Sequence, residues 1–107
     1  MATFYALGNY TTQGFKGFIK DPKSDRSQAA RTAAEAVGAK LVSYTGLRGP
    51  YDFLAVFEET FAQGAGIKMA TEASGALCNI AVCEAIDINE IAANAAKIAG
   101  AYKGPGK

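Results

Sequence analysis

Apolar residues along the chain fall into short blocks of strand length that alternate with alanine-rich blocks of helical period. Thr3 to Tyr10 is rich in aromatic and β-favouring residues, with the turn former Asn9 near its end, and predicts a first strand. Thr11 or Thr12 is placed to cap a short helical turn in which Phe15, Phe18 and Ile19 share a face. Pro22 ends that turn, because the residue before a proline avoids helical geometry. Ser24 offers a new N-cap, and the alanine-rich stretch Gln28 to Val37, stopping at Gly38, predicts the first main helix.

Lys40 to Tyr44 predicts a second strand, and a turn-rich stretch from Thr45 to Pro50 leads to a third over Tyr51 to Glu58, almost wholly apolar after Asp52. Thr60 caps a second main helix that runs to about Ser74, weakened by Gly64 and Gly66 and stopped at Gly75. Cys78 to Ile86 is the fourth strand. Asp87 with Glu90 has the form of a capping box, and Ile88, Ile91, Ala92, Ala95, Ile98 and Ala99 make a helical stripe. The tail from Lys103 to Lys107 has nothing to bury and is expected to fray.

The order β-α-β-β-α-β defines an α+β, ferredoxin-like fold: an antiparallel four-stranded sheet with two helices on one face and an extra C-terminal helix. Residues 1–87 form that domain, and residues 88–107 are the added helix and a flexible tail. The other sheet face is left open, yet strands three and four are apolar at successive positions. Burial against a second copy is the simplest remedy, which predicts a homodimer or higher homo-oligomer. The alternative cover is the C-terminal helix folding back.

At 107 residues, the chain suits one domain. Its net charge of +1, from 11 scattered basic and 10 acidic residues, argues against a nucleic-acid partner. No apolar run reaches membrane-spanning length, and Met1-Ala2-Thr3-Phe4-Tyr5 has no basic region ahead of an apolar one. No membrane partner and a cytoplasmic location are therefore expected. Cys78 and Cys83, five apart on one predicted strand, should point to opposite faces and are read as small buried hydrophobes, with a reactive thiol as the other reading. With no histidine in the chain, no metal site is expected.

Several of these residues together resemble the GYD domain family. They are Asn9-Tyr10-Thr11-Thr12-Gln13-Gly14, Arg26 and Arg31, Tyr51-Asp52-Phe53, and Gly75-Ala76-Leu77-Cys78-Asn79-Ile80. The resemblance runs from about Phe4 to Ile86, and the name-giving triplet reads Pro50-Tyr51-Asp52, with proline in the place of glycine. It implies a fold of the dimeric α/β barrel kind in proteins of largely undefined activity, and it supplies no substrate.

Asp52, opening an otherwise apolar strand, is either a tie for a turn through backbone N–H groups, for example around Thr11 to Gly14, or a carboxylate facing a cavity. Arg26, Arg31 and Arg48 have the chemistry to gather an anion, though a solvated helix face explains the first two equally. Asn79 and Glu84 fall on opposite faces of the fourth strand, with Glu84 emerging at an edge or pairing across a dimer. Asn9, Tyr5 and Tyr44 are either pocket-lining or core. The ligand-binding candidates are thus Asn9, Arg26, Tyr44, Arg48, Tyr51, Asp52 and Asn79.

Neither a phosphate loop nor a Ser-His or Cys-His pair occurs, so no catalytic residue and no cofactor is assigned. The favoured reading is an oligomeric protein that binds a small anionic or aromatic molecule between sheet and helices. Its rivals are a cofactor-independent oxygenase- or isomerase-like enzyme using Asp52, Tyr51 and Arg48, and an assembly subunit without a ligand. A cavity of several hundred Å3 would favour a ligand.

Overall fold

The computed structural model describes residues 2–106; Met1 and Lys107, and with Lys107 the end of the expected frayed tail, lie outside the described residues. Four strands, β1 (Ala2–Tyr10), β2 (Lys40–Gly46), β3 (Phe53–Glu59) and β4 (Leu77–Glu84), form one antiparallel sheet in the order β2-β3-β1-β4. Helices α1 (Thr12–Lys20), α2 (Arg26–Ala36), α3 (Phe61–Ala73) and α4 (Ile88–Ala101) complete the chain. This is the expected ferredoxin-like arrangement, with α2 packed on β2 and α3 on β4.

The stretch after β1 is more than a turn. Thr11 caps a full nine-residue helix by accepting from the Gly14 N–H. The cap of α2 is Asp25, whose carboxylate accepts from the Gln28 N–H, and Ser24 instead ties back to the Asp21 carbonyl. Thr60 and Gln63 form a reciprocal capping box at α3, which holds the helix start despite its two glycines. Gly38 and Gly75, both at positive φ, end α2 and α3 as expected.

Ala34, Ala39, Leu41, Ala55 and Phe57 are the buried centre between sheet and helices, with Ala6, Ala30, Tyr44 and Ile67 packed around them. Two β-bulges decide which residues reach that layer. In β2 the register shifts between Leu41 and Ser43, so Leu41, opposite Phe57, and Tyr44, opposite Ala55, face the helices although they are three apart. In β4 a second shift falls at Asn79, which has φ +54. It places Cys78 opposite Asn9 and Cys83 opposite Tyr5, so both thiols lie on the open face rather than on opposite faces. Cys83 is exposed, not buried. About 13 Å of strand still separates them, too far for a disulfide.

The open face carries Tyr5, Leu7, Leu54, Val56, Ala81 and Cys83, and no helix among the described residues packs over it. In particular α4 does not fold back. Asp87 caps it by accepting from the N–H groups of Asn89 and Glu90, but every one of its residues is exposed. The radius of gyration is accordingly 18.1 Å, with a longest extent of 64 Å, whereas a compact chain of this length has about 13 Å.

Candidate functional site

The space between sheet and helices contains a cavity of about 80 Å3. Its floor is the inner face of the sheet, from Ala6, Phe53, Ala55, Phe57, Ile80 and Val82, and its roof is the small-residue face of α2 (Ala29, Ala30, Ala33) with Gly64 and Ile67 of α3. Alanines on α2 leave this space because they reach less far toward the sheet than larger side chains would. Arg26, Tyr44, Glu59, Lys68 and Thr71 are its polar lining. A cleft of about 240 Å3 lies beside it, walled by Tyr10, Gln13, Gly14, Gly17, Phe18, Ser24 and Ala76. Arg26 and Leu77 line both spaces, so the cleft and the cavity adjoin at those two residues. Neither space alone reaches the several hundred Å3 of typical small-molecule sites.

An aromatic group forms the wall between the two. Tyr10 meets Phe18 edge-on at 5.0 Å and Phe53 at 5.5 Å, and Phe53 stacks on Tyr44 at 5.6 Å. Gly8 makes room for this: a Cβ there would stand 2.7 Å from the Phe53 ring and 2.9 Å from Ile80. The Tyr10 and Tyr44 hydroxyls share a hydrogen bond. Burial first, and then that bond, push the Tyr44 hydroxyl far above its ordinary pKa, while the nearby Arg26 pulls the other way. Tyr44 is thus a neutral donor or acceptor beside a guanidinium.

Glu59 ends β3 on the same inner face and is 1 % exposed. Its Oε2 has no hydrogen-bond partner among the described residues, and burial raises its pKa. Tyr44, beside Arg26, lies opposite Ala55, four residues of strand or about 13 Å from Glu59, and Arg26 makes no ion pair with Glu59 among the described residues. Lys68 is engaged elsewhere: it pairs with Glu72 at 3.0 Å, and Glu72 also accepts from the Ile80 N–H. Those two bonds, that of Lys68 first, hold the Glu72 carboxyl below its usual range.

The other candidates form a separate cluster. Asp52 Oδ2 accepts from the Tyr10 N–H at 3.0 Å and from Asn9 Nδ2 at 3.2 Å. Asn9 Nδ2 also donates to the Pro50 carbonyl, and its Oδ1 accepts from Asn79 at 3.0 Å. This network clamps the turn before β3 to the end of β1 and to the bulge of β4. The Asp52 tie is thus one residue upstream of the Thr11 to Gly14 stretch. Asn9, Asp52 and Asn79 line neither cavity nor cleft, and the same holds for Tyr51 and Arg48.

Of the three arginines Arg26 lines the cavity, while Arg31 and Arg48 are exposed and line neither space. Tyr5 and Asn9 are on the open face and Tyr44 on the inner one, so these three do not line one pocket. Asn79 and Glu84 do fall on opposite faces, Glu84 lying opposite Phe4.

Sequence reading missed Tyr10 and Glu59 as cavity-associated groups. The signal for Glu59 was present: counting by twos from Phe53 through Ala55 and Phe57 lands on it. Among the described residues no three His, Cys, Asp or Glu come together as a metal site, and no helix is long and apolar enough to cross a membrane.

Compared with known proteins, residues 4–95 match the family model of the GYD domain, a match that covers most of the chain and reaches into α4. No curated protein matches it.

Proposed function

The chain belongs to the GYD domain family, and we propose that it is a homo-oligomeric protein that binds a small, largely apolar molecule between sheet and helices. The observation that carries this reading is the cavity itself, apolar on most sides, adjoining an outer cleft at Arg26. The guanidinium beside the stacked Tyr44 and Phe53 suits an aromatic or anionic group at the junction of the two spaces. Asp52, Tyr51 and Arg48, on which an enzymatic reading relies, line neither space.

Two uncovered apolar surfaces support the oligomer. One is the open sheet face, and the other is the α4 stripe, where Ile88, Ile91 and Ile98 are 64 %, 46 % and 62 % exposed. A helix of 14 residues is marginal in water without tertiary contacts. Contacts between copies cover both surfaces using one kind of chain.

Benzoate, a small aromatic anion, tests the ligand reading by two-dimensional NMR titration. Binding should shift the amides of Tyr10, Ala30 and Ile80, and Arg26→Ala should weaken it about tenfold. Shifts confined to exposed lysines would count against the site.

A further inference from the structure

We propose that Glu59 is the recognition group at the inner end of the cavity, where it holds a small, mostly apolar molecule by one neutral hydrogen-bonding group, a hydroxyl or a carbonyl. The proposal rests on reading that cavity as a ligand site.

Three observations converge on this residue. First, Glu59 is nearly inaccessible and lines the cavity, yet its Oε2 has no partner among the described residues. A buried carboxyl left unpaired is costly, and native interiors rarely retain one without a use. Second, among the described residues the fold makes no use of it: there Glu59 caps no helix and joins no ion pair, and the start of α3 is held by Thr60 and Gln63.

Third, α3 is cut away to seat it. A Cβ at Gly64 would stand 2.5 Å from Glu59 Oε1 and 2.9 Å from its Cδ. Glycine is a poorer helix former than alanine. The helix gives up that stability to admit a carboxyl whose Oε2 has no partner among the described residues.

The surroundings select the chemistry of the ligand. Phe57, Gly64 and Ile67 are apolar neighbours along the lining, Arg26 is at the far end, and Lys68 is paired with Glu72. With no cation paired to it among the described residues, burial raises its pKa and the carboxyl keeps its proton to higher pH than usual. A protonated carboxyl offers one O–H donor and a carbonyl acceptor. A hydroxyl or carbonyl satisfies it without bringing a second charge into the interior, whereas an ammonium would require two desolvated ions.

Phenol and toluene, alike in shape and different by one hydroxyl, are the probes, followed by amide shifts of the full-length protein. Wild type should bind phenol about tenfold or more tightly than toluene. Glu59→Gln, which keeps a neutral donor and acceptor, should retain the preference. Glu59→Met, an unbranched side chain able to take the same path past Gly64, should bind the two within about twofold.

Equal affinity of wild type for phenol and toluene would overturn the role of Glu59 and leave the cavity reading intact. Absence of shifts at cavity residues with either probe would instead count against the cavity as a ligand site. Tighter binding of benzylamine than of phenol, lost in Glu59→Gln, would overturn the neutral group in favour of a cation.

Discussion

The carboxyl of Glu59 on β3 occupies the space that a side chain at position 64 of α3 would fill: a Cβ on Gly64 would lie 2.5 Å from its Oε1. The two residues are therefore coupled. Gly64→Ala alone should destabilise the protein by about 1 to 3 kcal/mol in urea unfolding, since overpacking outweighs the gain in helix propensity. In a Glu59→Ala background the same change should become neutral or stabilising. An equal effect in both backgrounds would show that the contact does not limit the packing of α3.

Burial of Glu59 also has a pH signature. In the unfolded chain the group titrates near its ordinary value of 4.5, and in the folded chain it titrates higher. Within that window the folded state holds the proton and the unfolded state has lost it, so stability falls as pH rises. Glu59→Gln removes this slope and should gain stability over wild type from about pH 4.5 upward. The lowered pKa values of Asp25, held first by the Gln28 N–H, and of Glu72, held first by Lys68, act in the opposite sense in acid. They are common to both proteins and cancel in the difference. Parallel stability curves would contradict the assignment.

The Asp52 carboxylate is engaged by the Tyr10 N–H and the Asn9 amide, and its loss should be read in stability and not in binding. Removing an acceptor for both the Tyr10 N–H and the Asn9 amide should cost about 1.5 to 3 kcal/mol in Asp52→Ala. Benzoate affinity of the folded fraction should stay within about twofold of wild type. A large loss of affinity at unchanged stability would place Asp52 in the ligand site instead.

For α4, the account expects a role between subunits. Ile91→Lys with Ile98→Lys, two changes at exposed positions of the stripe, should leave the circular dichroism of the folded domain nearly unchanged and lower the mass measured by light scattering. An unchanged mass would remove α4 from the assembly and leave the open sheet face as the only candidate contact.

Much of the fold was legible because each element carries its own punctuation. Thr60 with Gln63, Gly38, Gly75 and Asp87 mark helix ends through groups local in sequence, and the apolar blocks between them leave few topologies. The faces were less legible, and the reason is the two bulges. An extra residue near Val42 and another at Asn79 reverse the in-and-out alternation partway along β2 and β4. Counting by twos therefore puts Tyr44 on the wrong side relative to Leu41, and it separates Cys78 from Cys83.

The site was legible only in part, for a different reason. Arg26, as one of three arginines able to gather an anion, and Tyr44, as an aromatic on a strand, both stand among the candidates and do line the cavity. Asn9, Asp52 and Asn79 have the same look in sequence but spend their polar atoms on one another and on backbone. Whether a polar side chain is engaged or free depends on partners 41 to 70 residues away, as for Asn9 with Pro50 and with Asn79. Local pattern does not carry that information. Glu59, the unpaired group, was hidden among the three consecutive polar residues Glu58, Glu59 and Thr60, which read as the polar end of a strand.

Native mass spectrometry of protein purified gently from its own cells tests the central claim most directly, because one spectrum reports subunit number and retained small molecule together. The expected spectrum is a multimer carrying a discrete extra mass on its subunits, released by collisional activation and reduced in Arg26→Ala. A multimer of bare chain mass would contradict the ligand, and a bare monomer would contradict both the ligand and the assembly.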